Sequence, residues 1–143
     1  MKSLSMTAFI IMVLALMVLF ARQEILGVGI VAITVQVAAV LLMIWARLTF
    51  GLRSFHAAAN PTEGGLVTTG PYRFIRHPIY AAVVYFIVAG VLCHLTIESV
   101  ILALVAFLGT AGRIYAEEKL LVRKYPDYAL YAARTGRIIP YLL

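Results

Sequence analysis

Four long apolar runs constrain this chain more than any other feature. They are Leu4–Ala21, Ile25–Ala46, Pro78–Cys93 and Ile97–Gly112. A helix that crosses the hydrocarbon core of a bilayer needs about 20 apolar residues at ~1.5 Å each. The first two runs reach that length, and the other two fall a little short of it. Only Arg22-Gln23-Glu24 separates the first pair, which predicts a tight helical hairpin. His94-Leu95-Thr96 separates the second pair, with Thr96 placed to cap the next helix and Glu98 in its first turn. That last helix is expected to run on past Gly112 through Val122, because no breaker precedes Pro126. Lys2 and the first run also suit a secretory signal peptide. However, no small-x-small site closes the run and a second span follows at once, so a retained helix is expected.

Composition closes off the other fold classes. The 143 residues are 64% hydrophobic and 13% charged, and the mean hydropathy is +1.00. A soluble domain of this size has more apolar surface here than it can bury. A soluble enzyme, a disordered chain and a secreted disulfide scaffold are therefore excluded. Cys93 is the single cysteine, so no internal disulfide forms. The expected fold is all-α, a polytopic membrane bundle of four helices in two hairpins with a short interfacial C-terminal helix. It forms one membrane domain. Residues 1–46 make the first hairpin and 47–77 the polar loop between the hairpins, which becomes a cytoplasmic cofactor loop under the sidedness and the resemblance given below. Residues 78–124 make the second hairpin with its extended last helix, and 125–143 the interfacial tail.

Net charge is +6. The basic residues lie between apolar runs rather than on one face of a soluble fold, so topology accounts for them and nucleic acid is not an expected partner. With four spans, eleven of the twelve Lys and Arg residues fall on one side and Arg22 alone on the other. By the positive-inside rule, both termini, the middle loop and any site built there face the cytoplasm.

The chemistry-bearing residues concentrate on that side. Asn60 to Gly65 is turn chemistry, and Leu66-Val67-Thr68-Thr69 favours extended backbone. Pro78 holds His77 extended and suits the first position of a helix. His77 thus stands beside unpaired N–H groups that attract anions, with Tyr80 in the same turn. These positions equally suit an ordinary helix start with an interfacial aromatic and basic belt. Arg113 and Glu117, four apart, share a helix face, and Glu118 points about 100° away. Pairing with neighbouring basic residues is the structural alternative for these acids. Tyr125, Tyr128 and Tyr131 recur every three residues, as an aromatic anchor at the interface would. Gly27-Val28-Gly29 lies within a span, outside the context of a dinucleotide loop. His56, His77 and His94 are too scattered for a metal site, and none is expected. Gln36 is expected to bond within the bundle.

Several segments follow one another in a recognisable order: Leu66-Val67-Thr68-Thr69-Gly70-Pro71-Tyr72, Arg76-His77-Pro78-Ile79-Tyr80, Arg113-x3-Glu117-Glu118, Tyr128-x2-Tyr131 and Ile139-Pro140. Over about residues 45–143 this resembles the isoprenylcysteine carboxyl methyltransferase family and the related phospholipid methyltransferases. The resemblance implies S-adenosylmethionine bound without a Rossmann domain at the cytoplasmic membrane surface. Gly64, Gly65, Leu66 and Val67 would supply backbone contacts to it. Tyr72, His77, Pro78, Ile79 and Tyr80 would line the pocket, and Glu117 would bind the cofactor. Arg113 matches the position that holds the methyl-accepting carboxylate, with Glu118 beside it on the substrate side. The implied partners are a lipid-like or prenylated small molecule and the membrane lipid, with no metal. Ala82 and Tyr125-Pro126 depart from the family pattern, where glycine and Phe-Gly are frequent.

Two other functions suit the architecture. One is an NADPH-dependent membrane reductase of the steroid-reductase type, which is similar in its C-terminal tyrosines and Ile-Pro ending. The other is a non-catalytic small membrane subunit. The pairing of His-Pro-x-Tyr with Glu-Glu favours the methyltransferase.

Overall fold

The structure is a computed structural model that describes residues 2–51 and 65–140. Its helices are α1 (Lys2–Ala21), α2 (Ile30–Phe50), α3 (Pro78–Val91), α4 (Ile97–Lys124) and the short α5 (Tyr128–Ala132). A single 3-10 turn, Gly70–Arg73, precedes α3. The described residues form no strand, and one isolated parallel bridge joins Ile75 to Gly136.

α1, α2 and α4 are long and apolar enough to cross a membrane. The chain is thus an all-helical integral membrane bundle. In place of the fourth expected span stands a shorter apolar helix, α3, whose 14 residues give about 21 Å of helix against ~30 Å of hydrocarbon. α4 runs unbroken through its charged second half, as the lack of a breaker predicts. Thr96 caps it reciprocally with Ser99.

The chain order is that of two hairpins, but the tightest packing runs between them. α1 lies chiefly along α4, and α2 along α3. The buried positions of α1 are Ser5, Ala8, Met12, Ala15 and Leu19, spaced alternately by three and four. α4 answers with Ser99, Ala103, Ala106, Thr110 and Arg113. Small residues let these backbones approach closely. A Cβ on Gly109 would fall 2.8 Å from the Ala8 carbonyl oxygen. Ala15 and Leu19 of α1, Ile87 and Val91 of α3, and Ala103 and Ala106 of α4 share one core cluster. The antiparallel run of α1 on α4 puts the start of the first beside the end of the second.

α2 starts at Ile30 rather than at the expected Ile25. Gly29 takes a left-handed φ of 86°. The Gln36 side chain accepts from the Gly27 N–H at 2.9 Å and donates to the Ile25 carbonyl at 2.8 Å. Buried Gln36 therefore stabilises a longer turn and also donates to Phe86 of α3 at 3.1 Å. It bonds within the bundle, as expected.

Candidate functional site

The segment leading into α3 is shaped residue by residue. Gly70, at a φ of +56°, sits so close to Thr49 that a Cβ would fall 2.6 Å from its hydroxyl. Pro71 then starts the 3-10 turn, and Tyr72 turns inward with its ring 5.5 Å from that of Phe50. Burial pushes the Tyr72 phenol well above its ordinary range. Beyond the turn, the chain runs beside its own tail. The Arg76 N–H donates to the Gly136 carbonyl at 2.7 Å and the His77 N–H to Arg137 at 2.9 Å, while Gly136 returns a bond to Phe74 at 3.1 Å. Pro78 then opens α3, as its fixed φ favours.

This places His77 and Tyr80 against the end of α4. The Tyr80 hydroxyl donates to Glu117 Oε1 at 2.5 Å, and Arg113 Nε donates to the same hydroxyl. Arg113 Nε also lies 3.4 Å from Glu117 Oε1. His77 stands between the two acids, with Nδ1 3.7 Å from Glu117 Oε2 and Nε2 3.5 Å from Glu118 Oε1. Its side chain is 5% exposed, and that of Arg113 is 6% exposed. His77 Nε2 and the Tyr128 hydroxyl are buried polar atoms that make no hydrogen bond. The guanidinium of Arg113 lies 4.7 Å over the ring of Phe9 and 5.7 Å from that of Tyr80. Such stacking favours a cation held away from water.

Glu118 serves a second set of contacts. Arg76 Nε donates to it at 3.0 Å, and Arg137 Nε lies 3.2 Å from its other oxygen. Arg76 reaches further into the tail, donating from Nη1 to the Ala132 carbonyl at 2.6 Å and to that of Thr135. Tyr131 donates to the Tyr72 carbonyl at 2.7 Å, and Tyr85 to that of Ile138. The tail is therefore laced to the loop, α3 and α4. This changes the reading of the tyrosine stripe. Tyr128 is buried and Tyr131 is committed to Tyr72, so these two face the bundle rather than anchor at the interface. Burial raises both phenols, Tyr131 to about 12, so both stay neutral.

Of the positions singled out in the sequence, His77, Tyr80, Arg113, Glu117 and Glu118 form one connected cluster. Pro78 and Ile79 complete the turn that carries it. Tyr72 lies close enough for the charge of Glu117 to raise its phenol further. Gly65, Leu66 and Val67 run as irregular backbone toward the 3-10 turn, Gly65 with a φ of +86°. They make no hydrogen bond to the cluster among the described residues. Gly64 lies outside the described residues, as do Arg53, His56 and the turn residues Asn60 to Glu63. Among the described residues, no group of three or more His, Cys, Asp or Glu side chains is placed to hold a metal.

Sequence reasoning gave no site role to Phe9, Arg76 or Arg137. Arg76 carried a signal in its place beside His77-Pro78. Phe9 and Arg137 carried none, because their roles depend on how α1 and the tail fold back.

Comparison with known proteins followed the same motif region. Residues 28–123 match the isoprenylcysteine carboxyl methyltransferase family. Among curated proteins, the chain is 40% identical over 78 residues to the nickel-cobalt-cadmium resistance protein of Alcaligenes xylosoxydans xylosoxydans. It is 35% identical over 78 residues to the cobalt-zinc-cadmium resistance protein of Cupriavidus metallidurans. Each match takes in 54% of this chain but only 37% and 36% of the relatives, so the chain spans little more than a third of either. No solved structure matches.

Proposed function

Because the chain belongs to the isoprenylcysteine carboxyl methyltransferase family, we propose that it is an integral membrane methyltransferase. It moves a methyl group from S-adenosylmethionine to a lipophilic carboxylate of the isoprenylcysteine kind. The observation that carries this reading is the buried cluster of His77, Tyr80, Arg113 and Glu117, which joins the start of α3 to the end of α4. Ionisable groups inside a membrane bundle are costly, and that cost makes them functional by default.

The residues fit the cofactor's chemistry. Glu117 is 22% exposed and offers oxygens for an ammonium or a ribose diol. His77 Nε2 is buried and makes no hydrogen bond, with Glu118 Oε1 3.5 Å away. Tyr72 and Tyr80 supply aromatic walls, and the backbone of Gly65 to Val67 remains unpaired among the described residues. When bound, S-adenosylmethionine supplies an activated methyl group on a sulfonium. The protein's part is alignment. Arg113, held by Phe9 and Tyr80, presents a fixed fork for the acceptor carboxylate. A carboxylate needs no general base, because it has no proton to shed. With Glu117 holding the cofactor and Arg113 the acceptor, the carboxylate oxygen would take the methyl group and the sulfur would leave as a neutral thioether with the electron pair. Positioning of this kind supplies most of the rate. The excess of Lys and Arg puts the cluster and both termini on the cytoplasmic side.

The test supplies the purified protein with methyl-labelled S-adenosylmethionine and either a farnesylated cysteine or a membrane lipid extract. Label is expected in the lipid phase and is expected to be released by mild base, as a methyl ester is. Base-stable label would replace the carboxylate acceptor with an amine. No transfer, together with binding of NADPH, would replace the methyltransferase with the reductase.

A further inference from the structure

A second polar feature lies beside the cluster and takes no part in it. The Thr68–Arg73 segment and the tail flank an open hollow of about 560 Å³, lined by Thr68, Arg73, Leu130, Tyr131, Arg134 and Thr135. We propose that this hollow binds the phosphate of an anionic phospholipid headgroup.

Charge carries the argument. Arg22, Arg76, Arg113 and Arg137 each meet a carboxylate. Arg73 and Arg134 meet none among the described residues, and both line this one hollow. No acid lines it among those residues. Two arginines lining one space, Arg73 with its guanidinium 5.9 Å over the Phe74 ring, suit a phosphate, whose oxygens accept paired N–H bonds. The exposed Thr68 hydroxyl adds a donor.

A lipid source is favoured over a soluble one by the rest of the lining. Leu130 is 65% exposed on the same hollow, so an apolar wall stands next to the cations. α5 carries this wall at the end of the bundle where α4 leaves its apolar stretch. A glycerophosphate head with the start of its acyl chains matches both parts. Anionic lipid attracts basic side chains at this depth. The site is independent of the methyl-transfer reading, since neither arginine belongs to the cluster around Glu117.

The test uses the full chain, delipidated in detergent and titrated by native mass spectrometry with short-chain phosphatidylglycerol. Phosphatidylcholine and inorganic phosphate are titrated in parallel. Phosphatidylglycerol is expected to bind more tightly than phosphatidylcholine and to resist displacement by an equal concentration of phosphate. The Arg73→Gln/Arg134→Gln variant is expected to weaken phosphatidylglycerol binding about tenfold, and the Arg73→Lys/Arg134→Lys variant to recover part of it. Both side chains are exposed, so the Tm should hold. If the double variant unfolds, Arg134→Gln alone gives the same reading on a smaller scale. Unchanged phosphatidylglycerol affinity in folded variants, or ready displacement by free phosphate, overturns the proposal.

Discussion

At one end of the bundle Arg22 meets Glu24 two residues away, and Arg22 remains 42% exposed. At the other end Arg76 meets Glu118 across 42 residues, with side-chain exposures of 11% and 17%. Both ends hold arginine–carboxylate pairs, yet the pairs differ in what they join. The turn end is closed by backbone and shape. Gly90 presses so near Ile25 that a Cβ would fall 2.1 Å from its carbonyl oxygen. Gln36 and His94 bond to the carbonyls of Ile25 and Leu26. Its charges decorate a junction that already fits. At the other end the charges are the junction, since Arg76, Glu118 and Arg137 tie the loop, α4 and the tail together. An ion pair within one turn costs the chain little to form. One that spans three elements, with Arg76 and Glu118 largely buried, is held by the whole fold and can position a reacting group.

Shape is expected to dominate the turn end. Gly90→Ala is expected to destabilise the protein by about 3 kcal/mol, because the added methyl meets backbone and not a movable side chain. Thermal unfolding in detergent measures this, and a Tm equal to that of the wild type would refute it. At the other end, Arg76→Ala removes the donor that Glu118, Ala132 and Thr135 share. Arg137 and His77 still face Glu118, so the expected loss is about 2 kcal/mol. Limited proteolysis should cut the tail after Lys124 in this variant before it cuts the wild type. Equal protection in both would mean that the backbone bridge and the bonds of Tyr131, Tyr85 and Arg137 hold the tail without the Arg76 side chain. The smallest effect is expected from Arg22→Gln, which should leave the Tm nearly unchanged. Arg22 holds the Glu24 carboxyl below its ordinary value. Whatever the pair contributes is therefore present at neutral pH and fades as acid protonates Glu24, so any difference between variant and wild type should disappear there.

The helices were legible in the sequence because lipid demands unbroken apolar runs, and Thr96 announced the start of α4. The start of α2 was not legible, since the hold of Gln36 on Ile25 and Gly27 depends on a side chain folding back nine to eleven positions. The seam of α1 was written in the spacing of Ser5, Ala8, Met12, Ala15 and Leu19, but its partner was not. Any helix with small residues at matching intervals would have served, and the neighbour in sequence was the natural guess. The cluster itself was legible as a set of residue types. His77, Tyr80, Arg113 and Glu117 stood in recognisable order, and folding brought them within hydrogen-bonding and ion-pair range. The inward turn of Tyr128 and Tyr131 was hidden, because a stripe with a period of three describes a helix face and not what that face meets. The contribution of Phe9 was equally hidden. It lies before residue 28, where the family match begins, and touches Arg113 only after α1 packs on α4.

The proposed methyltransferase requires that the start of α3 and the end of α4 together bind S-adenosylmethionine through Glu117. Calorimetric titration of S-adenosylmethionine into the detergent-purified wild type and Glu117→Gln tests it most directly, with circular dichroism confirming that both are folded. The wild type is expected to bind and the variant to lose affinity about tenfold or more, the cost of a charge-assisted hydrogen bond. A folded wild type that takes up no S-adenosylmethionine, or a variant that binds it equally well, would contradict the account.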